Sequence, residues 1–123
     1  MNSEQINEFE KTEGQLQALY DEVGQLSKKN PDNAINDFKL KHANTILNKA
    51  NEILGADYKP LSAFELFDFE SMPTTSDVVM ILAQYINCME KFRADNIKQT
   101  AFNRWEWTGS DIRTAPPKKI QER

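Results

Sequence analysis

A proline at position 31 separates two segments whose apolar residues recur every three or four positions. That spacing places apolar side chains on one face of a helix, whereas a strand would need strict alternation. The residue before a proline is pushed out of the helical region, so the first helix ends before position 31. Short loops between helices favour antiparallel neighbours. The sequence therefore predicts a long antiparallel helical hairpin.

The two helices of this hairpin have predicted limits and predicted inward faces. The first helix covers about residues 2–30, and its inward residues are Ile6, Phe9, Leu16, Tyr20 and Val23, with Glu13 in the same row. Because Gly14 weakens a helix, a break is predicted there as an alternative. The second helix covers about residues 33–54, and its inward residues are Ile35, Phe38, His42, Ile46, Ala50, Ile53 and Leu54. Gly55 caps this helix, since glycine tolerates the left-handed conformation.

A third long helix is predicted to begin at Thr75 or Ser76 and to continue to at least Ile97. Its inward row consists of Val78, Leu82, Tyr85, Met89 and Phe92. Its first half is apolar nearly all round, which predicts cover by more than one neighbour and favours a homo-oligomer. Before it lies a connector, residues 56–74, in which capping-box spacing predicts one helical turn from Ser62 to about Phe67.

The predicted fold class is all-α: a small helical bundle of the hairpin and the third helix, with an extended C-terminal arm. We divide the chain into a bundle domain, residues 1–103, and a basic arm, residues 104–123. The first part has 16 acidic and 10 basic side chains, while the arm has 3 acidic and 5 basic ones. The part of the arm after Gly109 is poor in apolar residues, so we expect it to contribute little to stability.

Composition argues against several classes of protein. The net charge of −4 does not attract phosphate backbones, and one cysteine (Cys88) with one histidine (His42) cannot form a multi-Cys or His-rich metal site. His42 is expected at the edge of the core and Cys88 within it, both without catalytic roles. The polar start and the short apolar runs predict a cytoplasmic protein without a membrane span. We expect neither enzymatic activity nor a cofactor.

Two segments are predicted to contact a partner, because aromatic and charged residues alternate in both. In the connector these residues are Phe64, Phe67, Asp68, Phe69 and Glu70. In the arm they are Arg104, Trp105, Trp107, Arg113, Lys118 and Lys119. The structural alternative is that the connector covers the end of the core and that one tryptophan packs inside it. Tryptophans beside arginines are also typical of surfaces that stack on bases.

The predicted function is protein binding without catalysis. By analogy of form and charge alone, a small acidic intracellular protein of this shape suits the role of an inhibitor that blocks a basic, nucleic-acid-binding partner such as a nuclease, the role of immunity proteins and of the anti-defence inhibitors of mobile elements. The alternatives are a nucleic-acid-binding accessory protein that uses the arm, and an oligomeric scaffold.

Overall fold

The computed structural model describes residues 1–118, apart from the side chain of Phe102. It contains three helices, α1 (Ser3–Lys29), α2 (Asp37–Tyr58) and α3 (Thr75–Asp95). A small sheet follows, with strands β1 (Ile97–Gln99), β2 (Trp105–Trp107) and β3 (Arg113–Thr114). Single 3-10 turns lie at Phe69–Ser71 and Ala101–Asn103. The predicted all-α bundle with a C-terminal arm is confirmed, and the arm includes strands.

Helix α1 is continuous, without the alternative break at Gly14. The Asn2 side chain accepts from the Gln5 amide at 2.8 Å, and the Gln5 side chain accepts from the Asn2 amide at 3.0 Å. This capping box satisfies two of the amides that every helix start leaves without partners. The buried residues of α1 are Ile6, Phe9, Thr12, Leu16, Leu19 and Val23. Glu13 lies beside this row and is half-buried.

The predicted inward face of α2 is wrong in its first half. Phe38 is 81% exposed and His42 is also exposed, while the buried residues are Leu40, Ala43, Ile46, Leu47, Ala50 and Leu54. Two rows of residues with helical spacing share Ile46: the predicted row through Phe38 and His42, and the row that begins at Leu40. The row from Leu40 to Leu54 is the one that packs against α1 and α3. The helix begins later than predicted, since Asn36 is its cap and accepts from the Lys39 amide. Gly55 has the predicted positive φ, 62°, but the prediction that it ends the helix is wrong: it forms a kink, and α2 continues to Tyr58 with Lys59 as its cap.

Helices α2 and α3 are parallel to each other and antiparallel to α1. The start of α3 adjoins the end of α1, because the Thr75 hydroxyl donates to the Asn30 carbonyl at 2.7 Å. At the opposite end Phe92 of α3 stacks on Phe9 of α1 and meets Tyr58 of α2 edge-on. The connector must therefore return along the length of α2 before α3 can begin.

Helix α3 begins at the predicted position and ends before the predicted one. Thr74 is its cap and forms a capping box with Asp77. Its apolar first half is largely covered within the chain, where Val78, Ile81, Leu82 and Ala83 are buried. Met80 is 53% exposed. Self-association through this face stays a prediction.

The three strands form an antiparallel sheet of order β1-β2-β3. Ile97 pairs with Trp107 and Glu106 pairs with Arg113, so the sheet joins residues on both sides of position 103. Trp107 is completely buried, and its ring meets Phe9 edge-on at 5.1 Å between centroids. The sheet thereby attaches the first part of the arm to α1.

The end of the described arm is attached to α3 by a buried ion pair. Arg93 donates to both carboxylate oxygens of Glu90, at 2.8 and 2.9 Å. Its guanidinium also donates to the Thr114 hydroxyl and to the carbonyls of residues 115 and 116, at 2.7 to 2.9 Å. The Lys118 amide donates to Glu90 at 2.7 Å. These contacts argue against the expectation that the segment after Gly109 contributes little to stability, because this segment supplies hydrogen-bond partners of buried charges.

Candidate interaction surface

The connector is held against α2 and α3 by side-chain amides. Asn44 of α2 donates to the Phe67 carbonyl at 3.0 Å and accepts from the Phe67 amide at 2.8 Å. Two turns further along α2, Asn51 donates to the Glu65 carbonyl at 2.9 Å and accepts from the Tyr85 hydroxyl of α3. The connector backbone, which lacks the regular hydrogen bonds of a helix or sheet, is thus held in place by Asn44 and by Asn51.

The aromatic residues of the connector lie on two sides. Phe64 and Phe67 are half-buried and meet edge-to-face at 5.1 Å, and Phe64 also meets Tyr85. These two residues cover the core, as the structural alternative predicted. The predicted helical turn ending at Phe67 is wrong, since the single 3-10 turn begins at Phe69. Phe69 itself is 42% exposed.

The outer side of the connector combines apolar and acidic side chains. We call residues 61–72 the connector ridge, and its exposed members are Leu61, Leu66, Phe69 and Met72 with Glu65, Asp68 and Glu70. Leu66 is 44% and Met72 is 67% exposed. Exposed apolar anchors beside charged residues are typical of protein interfaces. The ridge is therefore the candidate functional site.

The acidic residues of the ridge differ in their surroundings. Glu65 accepts from the Lys59 amino group at 2.8 Å, and this hydrogen bond lowers the pKa of its carboxyl. Asp68 uses its carboxylate to accept from the Glu70 amide at 3.0 Å, which fixes the start of the 3-10 turn. No ion pair of Asp68 or Glu70 occurs within residues 1–118. Both carboxylates are exposed and add negative charge at the ridge.

The predicted arm residues are not brought together at one accessible site. Trp107 is buried, Trp105 is half-buried, and Arg104 and Arg113 are exposed. Arg113 lies opposite Glu106 in the sheet. The side chain of Lys118 is exposed while its backbone is held by Glu90. Lys119 lies outside the described residues.

The remaining titratable candidates have different environments. Cys88 is half-buried, and burial raises the pKa of its thiol, which disfavours the reactive thiolate. Burial also raises the pKa of Tyr85 to about 12. His42 is exposed on the outer side of α2, so the expected position at the edge of the core is wrong.

Sequence reasoning missed the residues that position the ridge and the arm. Asn44 and Asn51 are seven residues apart, which places them on one face of α2, and that spacing was the available signal. Glu90 and Arg93 have the i,i+3 spacing of an ordinary surface pair. Nothing local in the sequence marks this pair as buried, because its partners come from residues 114–118.

Within residues 1–118, no group of three or more histidine, cysteine, aspartate or glutamate side chains could hold a metal ion. None of the three helices has a stretch long and apolar enough to cross a membrane. Comparison of the chain with models of protein families, with curated proteins and with solved structures gave no match. The function is therefore argued from the geometry and chemistry of the ridge.

Proposed function

We propose that the protein is a non-enzymatic interaction module of the inhibitor type, and that the connector ridge binds a basic protein partner. The observation that carries this proposal is the distribution of exposed apolar residues. Of the seven large hydrophobic residues that are most exposed within residues 1–118, four lie on the ridge. Single exposed apolar residues are ordinary, whereas several in one short segment favour an interface.

The fixed backbone of the ridge supports the proposal. Association costs free energy when loops must be ordered, and a segment already held by Asn44 and Asn51 avoids much of that cost. Phe69 provides an aromatic anchor, and such anchors dominate many interfaces. The ridge is thus suited to binding without rearrangement.

Charge favours a basic partner. Residues 1–103 have an excess of acidic side chains, and Asp68 and Glu70 extend that excess onto the ridge. Opposite charge on a partner increases its association rate and discriminates against acidic proteins. A protein that binds nucleic acid has such a basic surface. If the ridge covered that surface, the partner could no longer bind nucleic acid and would be inhibited.

The test is affinity capture by purified protein from the cells that encode it, quantified by mass spectrometry. The ridge variant Leu66→Ala/Phe69→Ala is compared with Phe38→Ala, which removes an even more exposed phenylalanine from α2. We expect a basic protein to be lost from the ridge variant and retained by the control. Binding of that purified protein should weaken by at least about tenfold in the ridge variant, as hot-spot substitutions do.

Equal capture by both variants would contradict the proposal. The nucleic-acid alternative predicts instead that affinity falls steeply as salt rises and that Arg104→Ala/Arg113→Ala reduces binding. Measuring salt dependence with the purified partner separates these functions, because contacts of apolar anchors are less sensitive to salt.

A further inference from the structure

Met72, the last residue of the connector ridge, has a left-handed backbone conformation, with φ 49° and ψ 59°. It is the C-terminal cap of the 3-10 turn Phe69–Ser71, and its amide donates to the Phe69 carbonyl at 3.2 Å. In this region the Cβ atom of an ordinary side chain is crowded by the following carbonyl oxygen, so the conformation costs free energy. Such a cap is normally glycine and sometimes asparagine.

The other residues with positive φ are of types that tolerate it. Within residues 1–118 these are Gly55, Asn103 and Gly109, with φ angles of 62°, 61° and 81°. Glycine has no Cβ atom, and asparagine is several times more frequent in this region than most residues. Met72 is therefore the one described residue that holds this conformation without a side chain suited to it.

The surroundings of Met72 fix its backbone on both sides. Before it, the Ser71 amide donates to the Asp68 carbonyl at 3.2 Å. After it, Pro73 is buried, and its carbonyl accepts from the Ile35 amide at 3.0 Å. A following proline restricts Met72 further, because it favours an extended conformation at the residue before it. The chain has to turn between these two anchored points, but the turn itself does not require a methionine.

Packing within the chain does not account for the methionine either. Met72 is 67% exposed, which makes it the most exposed of the large hydrophobic residues of the ridge. Burial of the remaining third offsets little of the conformational cost, because apolar stabilisation is proportional to the area removed from water. Residues held in sparsely populated backbone regions are concentrated at sites that contact ligands or partners. The side chain is thus better explained by a contact outside the chain.

We propose that Met72 is an anchor of the ridge, and that it inserts into an apolar pocket lined by aromatic rings, with a basic rim, on the protein partner. This inference rests on the function proposed for the ridge and names the chemistry of the contact. The methionine side chain is unbranched, and its sulfur packs favourably against aromatic rings. The exposed carboxylates of Asp68 and Glu70 lie within four residues of Met72, so the rim of the pocket should carry the opposite charge.

Two substitutions at position 72 separate the conformational cost from the contact. Met72→Asn relieves the left-handed strain and removes the apolar side chain, whereas Met72→Leu keeps an apolar side chain of similar volume. We expect Met72→Asn to raise the melting temperature by about 2–4 °C. Met72→Leu should leave it within about 1 °C. Circular dichroism melts measure both.

Binding is measured by calorimetry with the basic protein that the unaltered chain captures from the cells that encode it, after that protein is purified. Met72→Asn should weaken binding at least about tenfold, and Met72→Leu less than about threefold. The matched control is Met80→Gln, which removes a 53% exposed methionine from α3, outside the ridge. This control should change the affinity by less than about twofold.

The stability and binding measurements can each overturn the proposal. An unchanged or lower melting temperature for Met72→Asn would show that methionine is retained for the fold. Unchanged affinity of Met72→Asn, or equal weakening by Met80→Gln, would show that Met72 is no anchor. Equal weakening by Met72→Leu and Met72→Asn would show that the partner does not recognise an apolar side chain here.

The anchor and the proposed function can fail separately. If Leu66→Ala/Phe69→Ala loses the partner while Met72→Asn retains it, the anchor is wrong and the function proposed for the ridge stands. If the unaltered chain captures no basic protein, both proposals are overturned.

Discussion

At the residue scale, Arg93 has an unusual environment for a charged side chain. All five N–H groups of an arginine have an acceptor here, shared between Glu90 and residues 114–116. A buried ion pair is tolerated only when its remaining hydrogen bonds are made. The arm provides those bonds, so the side chain couples α3 to a segment more than twenty residues away.

We expect Arg93→Met to destabilise the protein by about 3–5 kcal/mol, because Glu90 would stay buried without its cation. The double variant Glu90→Leu/Arg93→Met should cost less than Arg93→Met alone, since it removes the unpaired charge as well. Urea unfolding measures both free energies. A cost below about 1 kcal/mol for the single variant would show that Glu90 reaches water once the guanidinium is gone, and that the pair is not effectively buried.

Glu13 predicts a dependence of stability on pH. Burial raises the pKa of its carboxyl above the ordinary 4.5, while the charges of Lys118 and Arg93 act in the opposite direction. The folded state therefore binds the proton more tightly than the unfolded state does. Stability contributed by this group is present below pH 4.5 and is lost as pH rises through the raised pKa.

Replacing Glu13 with glutamine removes this loss. We expect Glu13→Gln to be more stable than the unaltered protein at neutral pH, with a difference that grows as pH rises above about 4.5. Urea unfolding at several pH values measures the difference. Glu65 and Asp95, whose pKa values are lowered by hydrogen bonds, have the opposite trend in both proteins and cancel. A stability difference between the two proteins that does not change with pH would contradict the raised pKa of Glu13.

At the element scale, the faces of α1 and α3 could be predicted because each has one dominant apolar row. Helix α2 has two rows, one through Phe38 and one through Leu40, and local spacing cannot choose between them. The choice is made by packing, since the row from Leu40 to Leu54 includes the small residues Ala43 and Ala50. The short strands could not be predicted, because their pairing depends on residues far apart in the chain.

The burial of α2 can be tested with one substitution on each row. Leu47 is completely buried, so Leu47→Ala should destabilise by about 2–5 kcal/mol. Phe38→Ala removes a larger side chain from an exposed position and should change stability by less than about 0.5 kcal/mol. Chemical denaturation compares the two variants directly. The reverse order of effects would restore the face that includes Phe38.

The glycines of α1 and α2 should respond to substitution in opposite ways. Gly14 and Gly24 lie inside a continuous helix, and a Cβ atom at either position meets nothing within 4 Å. Alanine at each should stabilise the helix by about 0.5–1 kcal/mol. Gly55 has a φ of 62°, so Gly55→Ala should destabilise by about 1 kcal/mol. Thermal unfolding measures whether each substitution stabilises or destabilises the protein, and a stabilising Gly55→Ala would contradict the positive φ at this position.

At the scale of the whole molecule, the helical order and the antiparallel hairpin could be predicted from periodicity and proline. The sequence also indicated the connector as a candidate surface, because aromatic and acidic residues alternate there. It could not show which aromatic residues face outward. That depends on Asn44 and Asn51, which orient the connector so that Phe64 and Phe67 cover the core while Phe69 stays accessible.

The arm provides the test of how the whole chain is held together. Deleting residues 110–123 removes β3 and every hydrogen bond that Arg93 and Glu90 make to the arm. We expect this deletion to cost at least about 3 kcal/mol, because a buried pair is left without its other partners. The matched control ends the chain after Lys118, which retains all of these contacts and should stay close to full stability.

Circular dichroism melts and urea unfolding compare the two truncations. If deletion of residues 110–123 left stability unchanged, Arg93 and Glu90 would have to be satisfied by water, and the arm would then be free to bind a partner. The structure favours the other outcome. The ion pair between Arg93 and Glu90 lies within α3 and does not need the arm, so the measured cost reports the hydrogen bonds that residues 114–118 add to the pair.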